Sequence, residues 1–193
     1  MMNYFVLAGG WIVYFTLHSA LASEQVKAGA SHSLGRLFRY YRLFYSIFST
    51  VGLLGLLVLN GSISAPYFFK SEGVVRYLSL LFTTFGVMTI QIAFRQYRLK
   101  SFLGLADEKN ELKIDGILKL VRHPIYSGLI LITMGFFLFM PNLPSLISCL
   151  SVFVYLPIGI YLEEKKLIAT FGERYRQYKK TVSALVPRLP LNR

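Results

Sequence analysis

Arg122-His123-Pro124 and Glu163-Glu164 are two places where this chain sets ionisable side chains against long apolar runs. A permanent, planar cation next to an imidazole offers donors to an acidic or polarised group. Two carboxylates at a membrane-buried helix end are costly unless paired or solvated, so they call for cationic partners. Together the residue types suit a ligand of both signs, its positive centre near carboxylates and its negative group near N–H donors. Pro124 fits the first turn of a helix, where its missing N–H would have had no intrahelical acceptor. A helix is therefore expected to start there, with His123 at the cap and free backbone N–H groups oriented toward an anion. The plainer reading is a proline-started helix with a snorkelling arginine.

On a helix Glu163 and Glu164 point about 100° apart, so only one can face a given cavity directly. Their ordinary partners are Lys165, Lys166 and Arg122; the more interesting one is a cationic ligand. Phe171-Gly172 reads as a helix stop with glycine in the left-handed conformation, and a new helix is expected near Glu173. Tyr175 and Tyr178, three apart, share a face. They either roof a pocket or lie among lipid headgroups, where tyrosine is common.

The elements that must position these residues are membrane spans. A mean hydropathy of +0.52, with 54% hydrophobic and 16% charged residues, excludes an ordinary soluble domain. Five runs reach or approach the roughly 20 apolar residues a spanning helix needs: about 4–22, 43–60, 74–94, 125–140 and 143–162. The fourth is short and spans if Arg122 snorkels and the bilayer thins. The expected fold is all-α, a polytopic membrane helical bundle of about five spans. It forms a single membrane domain over 1–193, with a three-span scaffold over 1–98 and a ligand-binding core over 115–187. The last two runs make a hairpin that returns both charged clusters to one bilayer face.

The chain holds 21 basic and 9 acidic residues, a net charge of +12. With the N-terminus outside, 19 of the 21 basic residues fall on the inner side and only Lys70 and Arg76 outside, a strong positive-inside bias that places the C-terminus in the cytoplasm. Anionic lipid accounts for the basic excess, and no nucleic acid is expected as a partner. Ala20-Leu21-Ala22 resembles a cleavage site, but Met1-Met2-Asn3-Tyr4 carries no basic n-region, so the first run is expected to stay as a span. The single cysteine, Cys149, forms no internal disulfide, and no metal site is expected.

His18-Ser19, near the inner end of the first run, is a second candidate because an ionisable residue at membrane depth is a functional hypothesis. Residues 24–35 read as a polar loop, and Arg36 to Tyr45 interleave Arg and Tyr as an interfacial anchor first and a ligand patch second. Gly52 and Gly55 are expected to pack helices. The polar connection after the third run, through the turn-like Asp107-Glu108-Lys109-Asn110-Glu111, has the length of a lid or binding segment.

The pattern Gly116 … Arg122-His123-Pro124-x-Tyr126-x-Gly128, then Glu163-Glu164-x-x-Leu167-x-x-x-Phe171-Gly172-x-x-Tyr175-x-x-Tyr178-x-x-x-Val182 and Pro187, resembles the C-terminal core of the integral-membrane methyltransferases. These are the isoprenylcysteine carboxyl methyltransferases and the bacterial phospholipid methyltransferases. His18-Ser19-x-Leu21-Ala22-Ser23 and Arg39-Tyr40-Tyr41-Arg42-Leu43-x-Tyr45 look like the NnrU-like branch, which includes methanethiol S-methyltransferases. The resemblance implies S-adenosyl-L-methionine as cofactor, bound at the cytoplasmic face of a bacterial inner membrane. It implies His123, Pro124, Tyr126, Glu163, Glu164, Tyr175 and Tyr178 on the cofactor side, with Arg122 and Glu163 at the reacting groups and Arg122 orienting the acceptor. The implied acceptor is a lipid-soluble or small apolar molecule: an isoprenylcysteine-like carboxylate, a lipid amine or a small thiol. The chain departs from the pattern at Leu118, where relatives place an aromatic, and at Ile160-Tyr161-Leu162, where a basic residue is common. The alternative is a non-enzymatic accessory or small-ligand-binding protein on the same scaffold.

Overall fold

A computed structural model describes residues 1–95 and 111–188. Among these the regular structure is helical, with two isolated β-bridges and no strand, as the all-α expectation requires. The helices are α1 (Met2–Ala22), α2 (Glu24–Leu34), α3 (Tyr41–Ser62), α4 (Gly73–Arg95), α5 (Pro124–Phe139), α6 (Leu143–Phe171) and α7 (Glu173–Thr181). Four stretches are long and apolar enough to cross a membrane: Met2–Ala22, Glu24–Ser62, Gly73–Arg95 and Leu143–Phe171. At 16 residues, α5 is about 24 Å long, short of the ~30 Å hydrocarbon layer and in line with the short fourth run. The 29-residue α6 is about 43 Å long. It outlasts the apolar run that ends at Leu162 and carries Glu163 and Glu164 on its extension.

Residues 24–35 are not a loop. Ser23 caps α2, its hydroxyl accepting from the Val26 N–H at 3.3 Å, and Gly35 stops the helix at φ 49°, a conformation that favours glycine. A 3-10 turn over Gly35–Tyr40 then leads into α3. The polar connection between α4 and Glu111, with the Asp107–Asn110 part of the expected turn and the lid reading attached to it, lies outside the described residues.

The chain divides into two compact units. The first comprises Met1–Phe69 and Pro141–Val152. In it α1 and α3 interlock: the Tyr14 ring takes the place a Cβ on Gly52 would need, 2.9 Å away, and Leu56 does the same at Gly10. Gly55, expected to pack likewise, has nothing within 4 Å of its would-be Cβ. Buried polar groups reinforce the contact. The Trp11 indole N–H and the Asn60 amide both donate to the Ser148 hydroxyl, at 2.9 and 3.0 Å. His18 lies 3.0 Å from the Ser49 hydroxyl and 3.0 Å from that of Tyr45.

The second unit holds the described residues 70–95, 111–140 and 153–188. Here α4 and α5 approach so closely that a Cβ on Gly86 would lie 2.6 Å from the Gly128 carbonyl oxygen, and one on Gly128 2.7 Å from that of Gly86. The Ser79 hydroxyl adds a bond to the Gly135 carbonyl at 2.9 Å. Small residues that let backbones touch are the usual means of packing helices in lipid. This contact fixes α5, and with it the Arg122-His123 end.

Candidate functional site

Every candidate of the charged centre belongs to the second unit. Pro124 occupies the first turn of α5 with His123 as the cap residue, as its ring and missing N–H dictate. The backbone N–H groups of Arg122 and His123, which precede the first residue of α5, are taken up within the chain. They donate to the Ser183 and Ala184 carbonyls at 2.8 and 3.0 Å. Val121 and Ser183 form a parallel bridge, and the Ser127 hydroxyl donates to the Leu185 carbonyl at 2.6 Å. Residues 183–185 thus form a strap along the start of α5.

From the facing wall, α6 presents its two glutamates differently, as their 100° offset requires. Glu164 is 6% exposed, whereas the Glu163 side chain is 46% exposed. Arg122 donates to one oxygen of Glu164 through Nε at 3.0 Å and Nη2 at 2.7 Å. His123 Nε2 lies 3.2 Å from that same oxygen, and His123 Nδ1 lies 3.5 Å from Glu163, so one imidazole sits between two carboxylates. Lys179 Nζ, on α7, reaches the other Glu164 oxygen at 2.5 Å. Arg122 Nη1 also donates to the carbonyls of Lys179, at 3.0 Å, and Val182. Those groups end α7 and have no intrahelical donor. Its guanidinium therefore ties α5, α6 and α7 together, which differs from the expectation that its fork faces an acceptor.

Gly172, at φ 57°, separates α6 from α7, so α7 starts where the stop signal put it. Tyr175 and Tyr178 share a face, ring centroids 5.8 Å apart, but the headgroup placement is not what is found. Both are buried with Leu112, among Leu167, Ile168, Phe171 and Val182. They supply the apolar side of a short helix that is otherwise charged and polar, and burying that side holds it on the structure. The Tyr178 hydroxyl donates to the Leu118 carbonyl at 2.5 Å. The Tyr175 hydroxyl is enclosed without a partner in hydrogen-bond geometry. Burial raises its pKa; the Glu164 carboxylate adds to the shift and the Arg122 charge opposes it. Tyr126 leans on the His123 ring at 5.6 Å and 41°.

The structure thus brings Arg122, His123, Glu163 and Glu164 into one centre, with Pro124 and Tyr126 beside it and Tyr175 in its field. Tyr178 is turned to packing. Sequence reasoning missed Lys179, although it lies four residues after Tyr175 and so on the same helix face. It also missed Ser127. A cavity of about 420 Å³ lies beside the centre, with Glu164 in its wall.

A model of the NnrU protein family matches residues 6–189. Methanethiol S-methyltransferase of Pseudomonas deceptionensis is 41% identical over 76 residues, 38% of this chain and 28% of that protein. Methanethiol S-methyltransferase of Crocosphaera subtropica is 25% identical over 191 residues, 91% of this chain and 71% of that protein. Protein-S-isoprenylcysteine O-methyltransferase of Schizosaccharomyces pombe is 33% identical over 90 residues, 45% of this chain and 38% of that protein. The chain spans less than a third of the length of the Pseudomonas deceptionensis relative. No solved structure matches it. The family match runs through both units and takes in the whole charged centre, and on that extent the chain belongs to the NnrU protein family.

Proposed function

We infer that this chain is an S-adenosyl-L-methionine-dependent membrane methyltransferase whose donor binds at the charged centre. The observation that carries the reading is the imidazole held between two carboxylates, one buried and saturated, the other half exposed. The methyltransferase names of the relatives support it.

The residues present fit such a donor. It joins a sulfonium cation to an amino-acid head, and Glu163 offers a carboxylate that is not enclosed, 3.5 Å from His123 Nδ1. The enclosed Tyr175 hydroxyl is a donor for which a ligand oxygen would be a partner, since a buried polar group left unpaired costs about 1–3 kcal/mol. Glu164, with both oxygens engaged by Arg122, His123 and Lys179, holds the centre together. Arg122 acts through Glu164 and the end of α7, as a positioning residue. When bound, S-adenosyl-L-methionine would supply an electrophilic methyl group for in-line displacement by the acceptor, with Glu163 beside its cationic part. Such a displacement depends mainly on alignment, which is what a pinned His123 and a pinned Glu164 provide. The acceptor is a lipid-soluble or small apolar molecule, and the centre faces the cytoplasm at the inner membrane.

Calorimetric titration of the detergent-purified protein with S-adenosylhomocysteine tests the reading. Saturable one-to-one binding that is lost in His123→Ala is expected. No heat at saturating ligand, with a folded protein, would leave a non-enzymatic binder on the same scaffold.

A further inference from the structure

Arg36, Arg39 and Arg42 recur at every third residue through the 3-10 turn Gly35–Tyr40 and into α3. A 3-10 helix has 3.0 residues per turn, so side chains three apart eclipse one another, and the turn has three faces. Phe38 and Tyr41 make the inner one. Their rings stack at 5.5 Å and 27°, and the Tyr41 hydroxyl donates to the Leu21 carbonyl of α1 at 2.8 Å. One turn further along α3, the Tyr45 hydroxyl lies 3.0 Å from His18 Nε2. With that face pinned to the end of α1, the other two are turned outward. Leu37 and Tyr40, 63% and 45% exposed, occupy one. The arginines, all exposed, occupy the other: Arg36 and Arg39 are about 6 Å apart along the axis, and Arg42 continues the row on the first turn of α3.

The row has no counter-charge. Among the described residues of this unit Glu24 is the only carboxylate, and Lys27 lies 3.4 Å from it. Arg39 Nη2 donates to the Tyr40 hydroxyl at 2.6 Å, and its guanidinium lies 4.6 Å from the centre of that ring; neither contact brings an opposite charge. Like charges on successive turns repel one another, and an anion relieves that repulsion. Leucine and tyrosine exposed beside arginine suit a segment lying at a lipid surface, its apolar side at the acyl boundary and its cations at phosphate level.

We propose that Arg36, Arg39 and Arg42 form a binding site for a membrane lipid that carries two phosphodiester groups on one headgroup, as cardiolipin does. A guanidinium offers its donors as a planar fork that suits a pair of phosphate oxygens. A single phosphodiester has two such oxygens and one negative charge, enough for one fork, so it leaves most of the row uncompensated. Two phosphodiesters linked through one glycerol supply two charges, at a separation of the same order as that between neighbouring turns. The exposed Leu37 and Tyr40 favour a lipid over a soluble diphosphate, because they give acyl chains a surface beside the headgroup. The site stands apart from the methyltransferase reading, since it needs neither methyl donor nor acceptor.

Native mass spectrometry of the full chain in a non-ionic detergent, titrated with cardiolipin, phosphatidylglycerol or phosphatidylcholine, gives the affinity for the first lipid bound. Cardiolipin should bind at least tenfold more tightly than phosphatidylglycerol at equal phosphate, and phosphatidylcholine should not be retained. Arg36→Gln combined with Arg39→Gln should lower cardiolipin affinity at least tenfold. Arg174→Gln combined with Lys180→Gln on α7 removes the same net charge from exposed positions elsewhere and should leave the affinity within twofold. If the first pair fails to fold, Arg42→Gln alone should lower the affinity at least threefold. Equal effects of the two pairs, whether losses or none, would show attraction to net charge at most. Equal affinity for cardiolipin and phosphatidylglycerol would remove the two-phosphate match. Either result overturns the proposal, and so does displacement of cardiolipin by soluble pyrophosphate, which would make the row a site for a soluble diphosphate.

Discussion

Arg122 and Glu164 are joined through a single carboxylate oxygen, which accepts from Nε at 3.0 Å and from Nη2 at 2.7 Å, leaving the other oxygen to Lys179 at 2.5 Å. The two cations differ in setting. The Arg122 side chain is 9% exposed and that of Lys179 46%. Breaking a buried pair costs about 3–5 kcal/mol, whereas exposed pairs contribute about 0–1 kcal/mol. Arg122→Lys, which keeps the charge but loses the fork and the bonds to α7, is expected to destabilise by about 2–4 kcal/mol. That corresponds to roughly 4–16 °C of melting temperature. Lys179→Met is expected to cost under about 1 kcal/mol. Thermal unfolding in one detergent checks both, and equal shifts would show that Arg122 is no strut.

The two adjacent glutamates should fail differently. Glu163→Gln is expected to leave the melting temperature near wild type and to weaken binding of S-adenosyl-L-methionine, whose sulfonium is cationic, because its carboxylate is the half-exposed one. Glu164→Gln leaves Arg122 without its charged partner and is expected to unfold earlier. A Glu163→Gln variant that melts early while binding normally would reverse these roles.

Tyr175→Phe removes an enclosed hydroxyl that has no partner in hydrogen-bond geometry and only a weak interaction with Arg122. Deleting an unsatisfied buried group relieves a penalty of about 1–3 kcal/mol, so the ligand-free variant is expected to melt slightly later. If a bound ligand accepts from this hydroxyl, the same variant binds S-adenosylhomocysteine more weakly. The raised pKa means that ionising Tyr175 opposes the fold. Its ionisation has no effect on stability below the ordinary value of 10.0, and stability falls as pH rises above it. Tyr175→Phe should abolish that part of the alkaline loss, and an unchanged alkaline limb in the variant would contradict the assignment.

Gly128→Ala places a methyl 2.7 Å from the Gly86 carbonyl oxygen. Backbone cannot give way as a side-chain tip can, and overpacking of this kind costs about 1–3 kcal/mol. Gly55→Ala, with open space around it, is the control and is expected to be neutral. Detergent melting curves compare the two, and matching melting temperatures would mean that α4 and α5 are not in close contact.

Much of the centre was legible before any coordinates. Pro124 marked a helix start, Gly172 a stop, and the angular offset of Glu163 and Glu164 meant that one would be enclosed and the other not. Those are local rules, set by a ring, a missing Cβ and a helical turn. What was not legible depends on tertiary partners. Nothing in the type or spacing of Arg122 tells whether its donors meet a ligand or the end of α7. The strap has no periodicity, so residues 183–185 carried no sign that their carbonyls would take the N–H groups of Arg122 and His123. Tyr175 and Tyr178 were read by the habits of their residue type at interfaces, whereas α7 has little else with which to pack. At α2, the polar and small residues obscured a serine cap.

The strap sets an order of events during synthesis. Arg122 and Val182 are sixty residues apart, and α5 and α6 lie wholly between them in the chain. Both helices can therefore enter the bilayer while the carbonyls that will receive the Arg122 and His123 donors have yet to be translated. Until then those groups have only water or headgroups for partners. Insertion and maturation of the centre are separate steps, and a transcript truncated before codon 182 would yield a chain that takes its place in the membrane yet never assembles the centre.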